Sequence, residues 1–176
     1  GMNEMERERI FGGSFLQAFP PQLTLFDIGQ RADFLHVLVD GLVELFASGG
    51  GRETTVRIVE PVSSFILAAV VNDLPYLMSA RTLDASRVLL VPAALVRELI
   101  ARDKELMKAA MRELASDYRD LVRSLTDMKL RQSAERLGNL LIQQERRQGG
   151  TGMVQLRAEK RLLASLLGMT PENLSR

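Results

Sequence analysis

The sequence contains no cysteine and only one histidine, His36. Without cysteine there can be no disulfide, no thiolate zinc site, no cysteine-ligated iron–sulfur cluster and no cysteine nucleophile. A single histidine also excludes most histidine-built metal sites and catalytic triads. A metal-dependent enzyme needs a cluster of histidine and carboxylate ligands, so we expect that the protein is not an enzyme.

Long apolar runs are also missing. The longest, Phe65–Val71, is far shorter than the ~20 residues of a membrane-spanning helix, and the charged N-terminal region does not resemble a secretion signal. Apolar residues make up 46% of the chain and charged residues 26%, as in a globular protein. We therefore expect a cytoplasmic protein without a membrane partner.

The net charge of +1 conceals an uneven distribution. Residues 129–176 carry 9 Lys or Arg against 4 Asp or Glu, whereas residues 1–128 carry 14 against 18. A basic C-terminal region favours contact with nucleic acid or another acidic surface, although a solvated basic helix face would give the same count.

The chain up to Pro92 has the pattern of short strands separated by turns. Such spacing predicts an antiparallel sandwich or roll. The predicted strands are Leu23–Ile28, Phe34–Val39, Leu42–Ala47, Thr54–Val59, Thr82–Leu83 and Arg87–Val91. Between them, Phe65–Met78 predicts a short helix followed by a strand.

A long helix is predicted over Asp103–Lys129, which contains neither glycine nor proline. Its apolar residues alternate at spacings of four and three, which is a heptad seam: Met107, Met111, Leu114, Tyr118, Leu121, Leu125 and Met128. At ~1.5 Å per residue the helix is ~40 Å long, more than the width of a domain of ~90 residues. The seam therefore predicts a homodimer, with packing on the chain's own sheet as the alternative. Ala110 and Val122 widen the stripe, so the helix should also touch the β domain.

The C-terminal segment predicts a helix-turn-helix. Two helices are expected over 133–147 and 158–167. After them, Gly168 can adopt the positive φ that ends a helix, Thr170 can cap the next helix, and Pro171 suits the first position of that helix. The start of that helix offers side chains that could contact bases. These are Glu172, Asn173, Ser175 and Arg176. A glutamate can accept a hydrogen bond from cytosine, and an arginine can donate two hydrogen bonds to guanine. Alternatively, Glu172 only complements the helix dipole.

Together these motifs resemble the CRP/FNR family of transcription regulators over nearly the whole chain. The resemblance rests on Asp40-Gly41-Leu-Val at a strand turn, on Glu135-Arg-Leu-Gly-Asn-Leu-Leu141 and, most specifically, on the run from Leu162 to Arg176. It implies an α+β fold with an N-terminal antiparallel β-roll, a jelly roll like that of cyclic nucleotide-binding domains. The implied domains are a β-roll effector-sensing domain over 10–102, a dimerisation helix over 103–130 and a helix-turn-helix over 131–176.

The same resemblance implies how DNA would be read. Glu172, Ser175 and Arg176 match the Glu-x-x-Ser-Arg pattern of the FNR-like branch, which implies a palindrome of TTGA-type half-sites, with Lys160 and Thr170 on phosphates. RNA polymerase is the implied protein partner. The sequence ends before the wing of the family's winged helix, so we expect a truncated DNA-binding domain. The alternative is a dimeric interaction or sensor module that has lost DNA binding.

The resemblance also bears on the effector. Cyclic-nucleotide members use a Gly-Glu pair in the segment corresponding to Ser63–Ala69 and an arginine that falls here on Met78, whereas this chain has neither. Leu121 and Val122 stand where those members offer hydroxyls to the base. Because a buried phosphate needs cationic or N–H donors, we expect that cyclic AMP is not the effector. The family's iron–sulfur cluster is excluded by the lack of cysteine.

An apolar pocket for haem or another apolar ligand remains, as does a filled core without a small effector. The expected lining residues are Phe65, Ile66, Leu67, Val70, Met78, Leu121, Val122 and Leu125. His36 is a candidate haem ligand, but a lone histidine on a strand is more often a hydrogen-bonded or partly exposed residue. No other metal site is expected.

Overall fold

The structure is a computed structural model that describes residues 4–175, apart from the side chains of residues 4–7 and 11. The chain forms two compact units, with the boundary between Asp117 and Tyr118. Within the described part of the chain, no helix combines the length and apolar character needed to cross a bilayer.

The first unit contains all of the strands. Its elements are α1 (Glu4–Gly13), β1 (Phe15–Phe19), β2 (Thr24–Phe26), β3 (Phe34–Asp40), β4 (Val43–Gly49), β5 (Arg52–Val59), β6 (Ser63–Phe65), α2 (Leu67–Asn72), β7 (Ser79–Thr82), β8 (Ser86–Pro92) and α3 (Ala93–Arg102). The helix α4 (Lys104–Leu130) begins in this unit and continues into the second.

The strands form two four-stranded antiparallel sheets, in the orders β1-β8-β3-β6 and β2-β7-β4-β5. In β3 and β8, buried residues alternate with more exposed ones along much of the strand and contribute to a shared apolar core. Leu38, Val43, Phe65 and Val88 have no exposed surface there. This confirms the α+β fold with an antiparallel β-roll that the sequence predicted.

The turn before β4 depends on a glycine. Gly41 has φ +100°, and a Cβ on it would lie 2.2 Å from Ser86 Oγ and 2.6 Å from Ser86 Cα. Leu42 N–H in turn donates to Ser86 Oγ. The hairpin from β3 to β4 can therefore pack against the start of β8 only where there is no side chain.

Four elements of the first unit were not predicted: α1, β1, β6 and α3. The strand β1 is an edge strand paired only with β8, and its residues are mostly exposed, so it lacks the alternation that identifies a half-buried strand. Helix α1 has no apolar face that the sequence would reveal. The predicted short helix within Phe65–Met78 is confirmed as α2, but the strand after it begins only at Ser79.

The start of α4 packs on the roll. Ala110 is buried in the core and Leu114 lies against it, which confirms that the long helix touches the β domain. Two polar contacts accompany this packing: Arg57 lies 2.8 Å from Asp117, and Ser64 donates to Glu113.

The second unit consists of the remainder of α4 with α5 (Ser133–Arg147), α6 (Lys160–Leu166) and α7 (Pro171–Ser175). Leu163, Ala164 and Leu167 form its small buried cluster. The bounds of α5 coincide with those predicted, because a reciprocal capping box between Gln132 and Glu135 fixes its start.

Candidate functional site

The expected effector segment lies where β6 leads into α2. Phe65, Leu67 and Val70 are buried in the core of the roll, and Ile66 and Met78 pack partly buried against it. Ile66 has φ 67° and ψ 22°, a left-handed conformation that is uncommon for a β-branched residue. Apolar side chains thus occupy the part of this segment that faces the roll. The other three expected lining residues, Leu121, Val122 and Leu125, belong to the second unit and are exposed there.

Groups that could bind a phosphate near Met78 are already engaged. The Ser79 hydroxyl accepts a hydrogen bond from Ile28 N–H at 3.0 Å. Arg81, three residues after Met78, lies 2.7 Å from Glu44 and 2.9 Å from Glu53, with its guanidinium 4.3 Å above the ring of Phe46. Burial works to lower the pKa of Arg81, but its hydrogen bonds and ion pairs with the two carboxylates outweigh this and raise it.

His36 points into the core, which settles the orientation that the sequence left open. Its ring lies 5.0 Å from that of Phe26 and 5.3 Å from that of Phe65, between centroids. Burial lowers the pKa of His36 to about 4, against a smaller opposing effect of the Phe34 carbonyl, so the imidazole is neutral at pH 7. Its Nδ1 has no hydrogen-bond partner among the residues that the structure describes.

The packing around His36 bears on the haem hypothesis. The rings of Phe26 and Tyr76 stack 3.9 Å apart beside the imidazole, and a planar cofactor would have to displace these rings before reaching its nitrogen. Among the residues that the structure describes, no three His, Asp or Glu side chains are grouped so that they could hold a metal ion.

The predicted seam of α4 is largely exposed. Met111, Tyr118 and Leu121 have 63%, 68% and 61% of their surface accessible. Met107, Leu125 and Met128 are also exposed, whereas Leu114 packs on the roll. An apolar row of this length on one helix is more than the scattered exposure normal for a monomer surface.

The turn between α6 and α7 has the geometry that its sequence predicted. Gly168 has φ +60°, and the Thr170 hydroxyl accepts a hydrogen bond from Asn173 N–H at 3.3 Å, which makes Thr170 the cap of α7. The backbone N–H of Glu172 and the Thr170 side chain lower the pKa of Glu172, so its carboxylate is ionised at neutral pH.

The expected DNA contacts lie on the surface of this unit. Lys160 is the first residue of α6, and Lys160, Thr170, Glu172 and Ser175 are all exposed. The Ser175 hydroxyl donates to the Pro171 carbonyl at 3.0 Å, which leaves its oxygen as an acceptor. Arg176 lies outside the described residues.

Sequence reasoning did not identify two side chains that organise these regions. Glu44 is 1% exposed and accepts hydrogen bonds from Thr55 and Arg81, and no motif marked it. Arg136 of α5 donates to the carbonyls of Leu167 and Gly168 in the turn before α7. The Glu-Arg-Leu run that opens α5 was the available signal for Arg136.

An antiparallel β-roll followed by a long helix and shorter C-terminal helices is the arrangement that these residues form. Residues 16–103 match the model of the cyclic nucleotide-binding domain. The chain belongs to the cyclic nucleotide-binding domain family. The sequence matches none of the curated proteins with which it was compared.

Solved structures show the same fold over most of the chain. FixK2 from Bradyrhizobium japonicum superposes with a TM-score of 0.81 at 19% identity, covering 93% of this chain and 81% of that protein. The c-di-GMP-responsive regulator CLP from Xanthomonas campestris gives 0.78 at 17%, covering 99% and 89%. A proposed cAMP-binding regulatory protein from Silicibacter pomeroyi gives 0.66 at 27%, covering 99% and 78%. The structural neighbours include regulators of the CRP/FNR family.

Proposed function

We propose that the protein is a homodimeric, DNA-binding transcription regulator of the CRP/FNR type that responds to an effector other than cyclic AMP. In this proposal residues 10–102 sense the effector, 103–130 join the two copies and 131–176 contact DNA. Its site of action is the cytoplasm, where RNA polymerase is the expected protein partner. The capped turn before α7 is the observation that carries the proposal.

The chemistry of α7 and its surroundings supports DNA reading. A helix-turn-helix places the first turn of its second helix in the major groove, and that turn carries the exposed, ionised Glu172. A carboxylate accepts a hydrogen bond from cytosine N4, and Arg176 one turn later is suited to guanine. Lys160 supplies a cation for a phosphate contact. These roles predict recognition of TTGA-type palindromic half-sites.

The dimer is supported by the exposed seam of α4. Leu121, Leu125 and Met128 follow heptad spacing, and 61%, 48% and 50% of their surface is exposed in the second unit, where they lie. A two-fold axis along α4 would bury them against the same residues of a second copy and place two copies of α7 for two half-sites.

The effector domain lacks the means to bind a cyclic phosphate near Met78. Met78 supplies no charge, Arg81 is held by two carboxylates and Ser79 is engaged with the backbone. An apolar ligand or a filled core remains compatible with Phe65, Leu67 and Val70. Haem bound through His36 is disfavoured, because aromatic rings pack against the imidazole.

The test is a titration of fluorescently labelled duplexes with the protein at several salt concentrations. We expect tighter binding to a TTGA-type palindrome than to single-base variants. Lys160→Ala should weaken binding to every duplex and reduce the salt slope by about one unit, whereas Arg176→Ala should cost about 1–3 kcal/mol per half-site at one base pair only. Equal losses on all duplexes for Arg176→Ala would remove the support for this half-site.

The second candidate is a dimeric interaction or sensor module that has lost DNA binding, and the observation compatible with it is that no residue of α7 is buried. It predicts that the protein dimerises but shows no salt-dependent affinity for any duplex.

A further inference from the structure

The side chain of Arg136 connects the turn before α7 to the end of α4 by hydrogen bonds. Its Nε donates to the Leu167 carbonyl at 2.8 Å, and its Nη2 donates to the Gly168 carbonyl at 3.2 Å. The same guanidinium donates from Nη1 to the Arg131 carbonyl, one residue past the end of α4, at 2.8 Å. Nη2 also reaches the Ser133 hydroxyl at 3.3 Å. One planar group therefore bonds the end of one helix and the turn that precedes another.

A second polar contact joins the end of α4 to α5, the helix that carries Arg136. Asp127, in the last turn of α4, accepts from Arg131 Nε at 2.7 Å and from Asn139 Nδ2 of α5 at 3.0 Å. No residue of α5 is buried. The hydrogen bond between α5 and the end of α4 therefore lies at a partly exposed surface.

The geometry of these bonds requires arginine. The fixed fork of a guanidinium can donate in several in-plane directions at once, whereas a lysine ammonium is a single point at the end of a flexible stem. All four partners of Arg136 named above are neutral oxygens, three of them backbone carbonyls. Its role here is to hold backbone segments in place rather than to neutralise a charge.

We propose that Arg136 is a positioning residue that couples the end of α4 to the orientation of α7. Hydrogen bonds at a wet surface exchange with water at small net cost, so this connection can be remade when α4 shifts, which a packed apolar core would resist. A displacement of the α4 end would then redirect the turn at Leu167 and Gly168. The functional consequence rests on the DNA-binding function proposed above.

The first measurement is amide hydrogen exchange by NMR on the full chain. The reporters are Arg131 N–H, bonded to the Asp127 carbonyl at 3.0 Å, and Met169 N–H, bonded to the Ala164 carbonyl at 2.9 Å. In Arg136→Ala both amides should exchange about tenfold faster, since each segment loses at least one hydrogen bond. Arg136→Lys should restore at most one of the two. Arg123→Ala is the matched control, because it removes an exposed arginine of α4 that pairs only locally with Asp120.

The second measurement is the affinity of the same variants for a TTGA-type palindromic duplex. Arg136→Ala should lower the affinity about tenfold without changing the salt slope, because the side chain orients α7 and touches no phosphate. This separates it from Lys160→Ala, which should reduce the slope. Arg123→Ala should leave the affinity unchanged.

Each outcome decides the proposal. Unchanged exchange at Met169 would overturn it, as would equal loss of protection throughout α5, since that would make Arg136 a general stabiliser. If Arg136→Ala does not fold, the exchange of the same two amides is measured in Arg136→Lys. A reduced salt slope for Arg136→Ala would show a phosphate contact and refute the positioning role. If the wild type binds no duplex, the proposed function fails, and the exchange data still decide whether Arg136 couples the two segments.

Discussion

Replacing His36 with phenylalanine should remove much of the acid sensitivity of the roll. The imidazole is buried between Phe26 and Phe65, and its pKa is lowered to about 4 from 6.5 in the unfolded chain. Between pH 4 and pH 6.5 the unfolded state therefore binds a proton on His36 more tightly than the folded state does. As the pH falls from 6.5 to 4, this difference reduces the free energy of unfolding.

The size of the effect follows from the shift. Each unit of pKa difference corresponds to about 1.4 kcal/mol, so by pH 4 the wild type should lose about 3 kcal/mol through this one group. His36→Phe keeps an aromatic ring among the neighbouring rings and cannot take up a proton. Any packing change that it causes adds a constant difference at every pH.

The assay is urea unfolding of both proteins by circular dichroism at pH 7, 6, 5 and 4, at one fixed protein concentration because the proposed dimer would make stability depend on concentration. Surface carboxylates titrate equally in both proteins and cancel in the difference. The difference in unfolding free energy should change by about 3 kcal/mol across this range, in favour of the variant at low pH. Parallel pH profiles would show that His36 is not the buried neutral group described here.

Three further predictions concern the dimer, the effector and the β3–β4 turn. In sedimentation, Leu121→Asp should dissociate the dimer by placing charge in the seam, whereas Thr126→Asp on the same helix should not; a wild type that is monomeric at tens of micromolar would contradict the dimer. Calorimetry should detect no saturable binding of cyclic AMP, and a micromolar isotherm abolished by pocket substitutions would show that the excluded ligand binds. Gly41→Ala should destabilise the roll in urea by about 3 kcal/mol, because its Cβ would clash with Ser86. Gly29→Ala is the control and should cost only about 1–2 kcal/mol, because Gly29 also has a positive φ, +84°, but no atom lies near the position of its Cβ. Equal losses would refute the steric argument.

The sequence predicted most of the elements that repeat a regular pattern. The strands β3 and β4 are apolar segments bounded by turn residues. Helix α4 has an apolar seam and contains neither glycine nor proline. Helix α5 has the bounds that its run of residues without proline predicted. Local signals of this kind are sufficient because each element is specified by residues close to one another in the chain.

What could not be predicted depends on residues far apart in sequence. Whether His36 faced the core was decided by its pairing with Phe65 and Leu90, and not by its own neighbours. The burial of Glu44 required Arg81 and Thr55 from two adjacent strands. Arg136 became notable only when the fold brought Leu167 and Gly168 to it. Periodicity carries no information about such partners.

The left-handed turn at Ile66 has a consequence for redesign. The backbone there already adopts a shape that glycine would take more easily, although the residue is β-branched. Ile66→Gly would relieve that strain without altering the loop length or the start of α2. An engineer who wished to install recognition of a phosphate ester in this roll would therefore change side chains, with a cation at position 78 foremost, while the path of the main chain could stay as it is. Ligand chemistry and loop geometry are separable here.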